Sequence, residues 1–336
     1  MDSTLKIGNQ IIGQAYPTVF LPEIGCYFQK DTEQAKQTIR LLKNLGINLV
    51  KGEIAHSPEY VLNDGYMYTY QTHHGQRSRL YRDIIEELIL PKAVWLDLWK
   101  FAHGLGLESV ISAYDFEAMD IAVESGTSCL KIATSNIVNI PLIKYAAESN
   151  LPLIFDTGKS SISEIDIAVN CASRNGSGGF MINHSPDGHP ASPRDHNLLI
   201  IESYRRIFDC PIGLADHYSG EAILYAATGL GYDLLEKPVA PDPEKADVDS
   251  PWAMSLSKVA EVKKLISDCD LARGRTYRSK KFTPEDHPSR MGIITQSPIK
   301  KGDKLSIENV RFAFPNKGIG VEDWEYVNGA TFNHAL

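Results

Sequence analysis

The chain has 336 residues, 43% of them hydrophobic, enough for one large barrel or two ordinary domains with a sizeable buried core. A formal net charge of −8 argues against nonspecific binding to nucleic acid or to a membrane surface, since both need a net positive field. Five dispersed cysteines without a CxxC pair read as reduced thiols. With no apolar signal core at the N-terminus and no run of membrane-spanning length, the expectation is a soluble, cytoplasmic protein.

In chain order, short apolar runs alternate with helical patterns. A strand is predicted over 19–24, a helix over 32–45 ending at Gly46, and a strand over 48–51. Residues 55–80, rich in Tyr, His and Gln, read as an elaborated irregular loop. A helix over 91–104, a strand over 108–112 and a helix over 116–125 follow. The period then becomes regular: strands over 129–133, 153–156, 179–184, 212–215 and 233–236, with helices over 140–149, 161–173, 198–208 and 220–229 between them and a closing helix over 252–266.

Eight βα units of this length predict an α/β chain folded as a (β/α)8 barrel, a TIM barrel, over 1–267; a doubly wound open sheet is the alternative. The barrel is favoured because polar residues recur at the C-terminal strand ends, where barrels build active sites: Glu23, Lys51, Ser112, Lys131, Asp156, His184, Asp216 with His217, and Glu236 with Lys237. Residues 268–290 are polar, basic and Pro-containing and read as a linker whose charges are a solvated hinge. The stretch 291–336, with 293–305 and 307–310 as its apolar runs, reads as a small, mostly β module.

Several segments resemble the sialic acid synthase family, which includes the spore coat polysaccharide protein E group. Pro22-Glu-Ile-Gly25 resembles the opening Ala-Glu-Ile-Gly of that family, and Val50-Lys51 its Val-Lys. The run from Lys131 through Ile-Ala-Thr-Ser-Asn-Ile-Val-Asn-Ile-Pro to Leu142 is similar to its Lys-Ile-Ala-Ser motif, and Gly213-Leu-Ala-Asp-His-Tyr-Ser-Gly220 to its Gly-Tyr-Ser-Asp-His-Thr-Leu-Gly. The tail from Ser297 to Leu305 resembles the opening of the antifreeze-like, or SAF, domain that follows the barrel there. The resemblance implies a phosphoenolpyruvate-dependent synthase that joins this co-substrate to a sugar aldehyde, assisted by Mn²⁺ or Mg²⁺. It also implies a homodimer that exchanges the C-terminal domain.

Phosphoenolpyruvate carries a phosphate and a carboxylate, so its site needs converging cations and hydroxyl or amide donors. Lys51 and Lys131 are the candidate cations. By resemblance Ser112 and Thr134 are the hydroxyls, and Asp115, His184, Lys237 and Asp247 complete the substrate-binding set. The alternative for each lysine is a structural ion pair with Glu23, Glu53 or Glu236. Glu23, Asp216 and Glu236 are the catalytic candidates, for proton transfer and sugar-hydroxyl contacts. His217 is the metal ligand that the resemblance implies, with Glu236, Asp247 and Glu23 as candidate oxygens. Where the family has a second metal-binding histidine this chain has Pro238, which cannot ligate; His184 and His189 are read as ordinary core and loop histidines in preference to replacements.

Other departures fall on the same set of positions. Cys26-Tyr-Phe-Gln-Lys30 replaces an Asn-His-Asn-Gly, Asn136 an acidic residue, Ala215 a serine, Asp156 a serine, and Phe314-Pro315-Asn316 an Arg-Pro-Gly. They favour a sugar other than N-acetylmannosamine, in polysaccharide or modified-sugar synthesis. Two alternatives stand beside this: a Schiff-base aldolase using Lys131 or Lys237, and a non-catalytic scaffold that has lost its metal.

Overall fold

A computed structural model describes residues 3–25, 28–245, 248, 250–274 and 289–335. The chain divides into two compact units, Met1–Gly274 and Arg275–Leu336. The first unit opens with β1 (Thr4–Ile7), β2 (Gln10–Gly13), β3 (Val19–Gly25), α1 (Thr32–Asn44), β4 (Leu49–Ile54), β5 (Met67–Thr72), β6 (Gly75–Leu80), α2 (Tyr81–Glu86) and α3 (Lys92–Gly104). It continues through β7 (Glu108–Ala113), α4 (Phe116–Glu124), β8 (Cys129–Ile132), α5 (Ile140–Glu148), β9 (Leu153–Asp156), α6 (Ile162–Arg174) and β10 (Phe180–His184). It ends with α7 (Ile200–Ile207), β11 (Ile212–Ala215), α8 (Ala222–Leu230), β12 (Leu234–Ala240), β13 (Met254–Ser255) and α9 (Val259–Arg273).

Strands β3, β4 and β7 to β12 pair in parallel in chain order. The ring closes through β12 on β3, with Leu234 opposite Val19 and Pro238 opposite Glu23. This is the expected eight-stranded (β/α)8 barrel. Alternation along each strand sorts the side chains into two sets. Phe20, Val50, Ile111, Leu130, Phe155, Ile182, Leu214 and Leu235 pack outward in one core with the helices. Leu21, Leu49, Val110, Cys129, Ile154, Met181 and Leu234 point to the axis and form a second core. Leu5, Ile7 and Ile12 of the β1–β2 hairpin join that inner core, so the hairpin stoppers the N-terminal end of the barrel.

Three features differ from the sequence expectation. The hairpin β1–β2 carries its turn on Gly8 and Asn9 and was not among the predicted elements; its four-residue strands are too short for a periodic signal. Residues expected to be an irregular loop instead form the antiparallel hairpin β5–β6, with Thr72 opposite Gly75 across His73 and His74. Tyr and Thr side chains suit a pleated surface, and the two-residue connection matches hairpin geometry. The closing helix also starts later than expected, at Val259, because short 3-10 turns at Ser250–Trp252 and Leu256–Lys258 come first.

In the second unit, β14 (Gly292–Thr295) pairs antiparallel with β15 (Val310–Ala313), and α10 (Trp324–Val327) follows. The Phe312 and Trp324 rings meet edge to face at 5.4 Å, and Ile299, Leu305 and Val310 are buried. Among the described residues no helix is long and apolar enough to cross a membrane.

Gly52 in β4 sits under the fully buried indole of Trp99 from α3. A Cβ there would come within 2.2 Å of the Trp99 ring. Overpacking a close-packed core typically costs 1–3 kcal/mol. Gly52→Ala is therefore expected to lower unfolding free energy by about 1–3 kcal/mol, read as a shifted urea midpoint with an unchanged slope.

Candidate active site

Each inward set changes character along its strand: apolar near the hairpin stopper, polar one or two positions further on. Leu21 is followed by Glu23, Leu49 by Lys51 and Glu53, Val110 by Ser112, Cys129 by Lys131, Ile154 by Asp156, Met181 by Asn183, and Leu234 by Glu236. The alternation therefore delivers a ring of charged groups to the C-terminal mouth of the barrel.

These groups form one connected network. The Lys51 ammonium is hydrogen-bonded to Glu23 and lies 3.5 Å from Glu53 Oε1 and 3.6 Å from Glu236 Oε1. Lys131 Nζ reaches Glu236 Oε1 at 2.5 Å and Asp156 Oδ2 at 2.7 Å. Asn183 donates to the other oxygen of Glu236 at 3.1 Å. Glu236 is thus held by Lys51, Lys131 and Asn183 from three strands. Ser112 Oγ, Asp156 Oδ1 and Asn183 Oδ1 are buried without a hydrogen-bond partner, so acceptors and a donor remain open beside the two lysines.

Other predicted residues sit elsewhere. Asp216 and Lys237 have the opposite parity to Ala215 and Glu236 and form a second buried network. Asp216 Oδ2 accepts from Lys237 at 2.8 Å, and its Oδ1 lies 2.9 Å from His196 Nε2 and 2.9 Å from the Tyr218 N–H. Lys237 also donates to the Tyr218 carbonyl. His184 binds the His196 carbonyl through Nε2 at 2.5 Å. Asp115 caps α4 by accepting from the Ala118 N–H at 2.8 Å, and the same oxygen lies 3.1 Å from His56. Thr134 follows β8 in a 3-10 turn and abuts Gly158. Asp247 lies outside the described residues.

His217 resumes the inward parity. Its ring centroid is 4.2 Å from that of His189 and 5.8 Å from Trp252, and its buried Nδ1 has no hydrogen-bond partner among the described residues. The sequence marks His189 as an ordinary loop histidine and gives Asn183, His196 and Trp252 no role. For Asn183 the sequence holds a signal: it stands two residues after Met181 in the same predicted strand, so alternation turns it to the same face. A cavity of about 370 Å³ lies beside this region, lined in part by Lys237, Glu244, Trp252 and, from the β5–β6 hairpin, His73. A larger one of about 530 Å³ lies at the opposite end, between the β1–β2 hairpin and α9, away from the charged ring.

The NeuB family model matches residues 38–278. The chain belongs to the NeuB family. Over its whole length it is 24% identical to N,N'-diacetyllegionaminic acid synthase of Legionella pneumophila, covering 96% of that protein. It is 25% identical to the spore coat polysaccharide biosynthesis protein SpsE of Bacillus subtilis, over 94% of this chain and 88% of that one. A crystal structure of N-acetylneuraminic acid synthetase from Leptospira borgpetersenii superposes with a TM-score of 0.74 at 23% identity, covering 84% of this chain and 93% of that one, and so shares the fold.

In this NeuB-family barrel, burial sets the direction for Glu23 and Asp156, and the ion pairs set it for Glu236, Lys51 and Lys131. Burial pushes the Glu23 carboxyl up to about 8, against the pull of Lys51 and with the help of Glu236 and Glu53. Glu236 is held below its usual range because Lys131 and Lys51 outweigh its burial. Burial pulls the Lys51 and Lys131 ammonium groups down, yet the surrounding carboxylates hold both above their usual value. Burial, His189 and the charges of Lys131, Lys237 and Lys51 keep the His217 ring far below its usual value, hence neutral with a free lone pair. Among the described residues no group of three or more His, Cys, Asp or Glu is arranged around a metal position. The Nδ1 of His217 is nevertheless left without a partner, with a second imidazole, His189, beside it.

Burial pushes the Asp156 carboxyl up to about 6, opposed by Lys131 and aided by Glu236. A raised carboxyl pKa means that the folded chain keeps a proton the unfolded chain has already lost. This group's contribution to stability therefore falls as pH rises from about 4 to about 6 and is constant above that. Asp156→Asn is expected to flatten this decline: in urea titrations the difference between variant and wild type should change between pH 4 and pH 6, then level off.

Proposed function

We propose that this chain condenses phosphoenolpyruvate with a sugar aldehyde other than N-acetylmannosamine, releasing phosphate and forming a carbon–carbon bond. The observation that carries this reading is the meeting of Lys51 and Lys131, from separated strands, on Glu236 in a buried ring at the barrel mouth. The relatives named as legionaminic acid synthase and SpsE support it.

The two ammonium groups provide the fixed positive charge a phosphate and a carboxylate need, and Ser112 and Asn183 keep unpartnered polar atoms beside them. C3 of the enol attacks the aldehyde carbon, so the C3–C bond forms as the C=O π pair moves to oxygen. That oxygen takes up a proton. Glu23, still protonated at neutral pH because its carboxyl is pushed up to about 8, is the group to donate it. Water then adds its oxygen to the electron-poor C2 and gives one proton to the Glu23 carboxylate; the C2–O bond to phosphate breaks as the new C2 hydroxyl becomes C=O, its proton leaving with the phosphate. His217 would hold a divalent cation, which would supply Lewis-acid activation of the aldehyde.

Asp156 on Lys131 shapes the choice of substrate. It sets a carboxylate where the family resemblance expects a serine, and Ala215 removes a second hydroxyl. The surroundings of the phosphate and the acceptor therefore differ from those for N-acetylmannosamine. A Schiff base on Lys131 is disfavoured because Asp156 and Glu236 stabilise its ammonium form.

The test is incubation with phosphoenolpyruvate, Mn²⁺ and a broad panel of aldoses, following phosphate release and the mass of the condensed product. At least one aldose should release phosphate stoichiometrically with product. Glu23→Gln should lower kcat by roughly 10²–10⁴-fold, the usual share of a positioned proton donor. Absence of phosphate release across the panel would sink the reading.

A further inference from the structure

We propose that His189, on the loop after β10, joins His217 in holding a divalent first-row cation, in the place that Pro238 cannot serve. This deepens the reading above, and it is tested without turnover.

The strand ladder places the two positions side by side. Ala215 is opposite Glu236, and the ladder continues past the end of β11, where the Asp216 N–H donates to the Glu236 carbonyl at 3.0 Å. One step further puts His217 beside Pro238 on adjacent strands, both with inward parity. A proline side chain has no donor atom there, so strand β12 leaves His217 without a nitrogen neighbour.

The loop supplies that neighbour. The Ala191 N–H donates to the His217 carbonyl at 2.9 Å, which ties the loop to the backbone of residue 217. Two residues earlier, the His189 ring lies 4.2 Å from the His217 ring, centroid to centroid. Trp252 walls both rings, at 5.2 Å from His189 and 5.8 Å from His217. His217 Nδ1 is buried with no hydrogen-bond partner, a costly state unless something occupies it. Two imidazoles suit Zn²⁺, Fe²⁺ and Ni²⁺, and Mn²⁺ where water or substrate oxygens supply the rest of the shell.

The experiment strips the full-length protein with chelator and titrates it with Mn²⁺, reading free Mn²⁺ by electron paramagnetic resonance and heat by calorimetry. Wild type is expected to bind one equivalent. H189Q and H217Q should each weaken binding at least tenfold, while H74Q, on the exposed turn of the β5–β6 hairpin, should bind like wild type. H189Q/P238H should regain part of the lost affinity, because it moves the imidazole to the neighbouring strand position. Wild-type affinity in H189Q, or no binding by the wild type, overturns the proposal. Should H189Q fail to fold, pulsed resonance on the wild-type Mn²⁺ complex decides: two coordinated imidazole nitrogens are expected, and fewer overturn it. Mn²⁺ binding through this pair without phosphate release would refute the synthase reading and leave this one standing; phosphate release with full Mn²⁺ binding in H189Q would do the reverse.

Discussion

Alternation along parallel strands in a closed barrel is the constraint from which the rest of the site follows. Each strand turns every second side chain to the axis, and eight strands in register bring those side chains to common levels. Near the hairpin stopper the levels are filled by Leu21, Leu49, Val110, Ile154 and Leu234. One level higher the same faces carry Glu23, Lys51, Ser112, Lys131, Asp156, Asn183 and Glu236. The apolar level excludes water from below and pushes the buried carboxyls upward; the charged level answers with ion pairs.

Those ion pairs are tolerable because each buried charge faces an opposite one. Breaking a buried pair by removing one partner typically costs 3–5 kcal/mol, whereas intact pairs contribute little net stability. Retention of so many charges in one ring is therefore better explained by chemistry than by folding. The ring also keeps Ser112 Oγ, Asp156 Oδ1, Asn183 Oδ1 and His217 Nδ1 without partners, a state that costs stability and leaves room for a ligand. The ion pairs with Glu23, Glu53 and Glu236 that are the alternative for Lys51 and Lys131 do exist.

Much of this was legible in the sequence. The βα period marks the eight barrel strands, and strand-end polar residues pointed to Glu23, Lys51, Lys131 and Glu236. Parity was the weak point. Glu236 and Lys237 are neighbours in sequence and read as one constellation, yet a one-residue step in a strand reverses the face. Lys237 accordingly pairs with Asp216 in a separate network with His196, behind the ring. The β5–β6 hairpin was read as irregular because its polar residues hide the two-residue alternation under Tyr, Thr and Gln.

By itself the sequence determined the barrel and the residue types at its rim, because strand and helix periods are local properties of the chain. It also carried the motifs that mark the family. Only the tertiary structure decided which of those residues meet. Lys131 and Glu236 are 105 residues apart and touch through barrel closure. His189 reaches His217 through a loop that a backbone hydrogen bond from Ala191 ties to residue 217. Such meetings depend on register, closure and loop path, which are set by contacts distant in sequence and leave no local pattern to read.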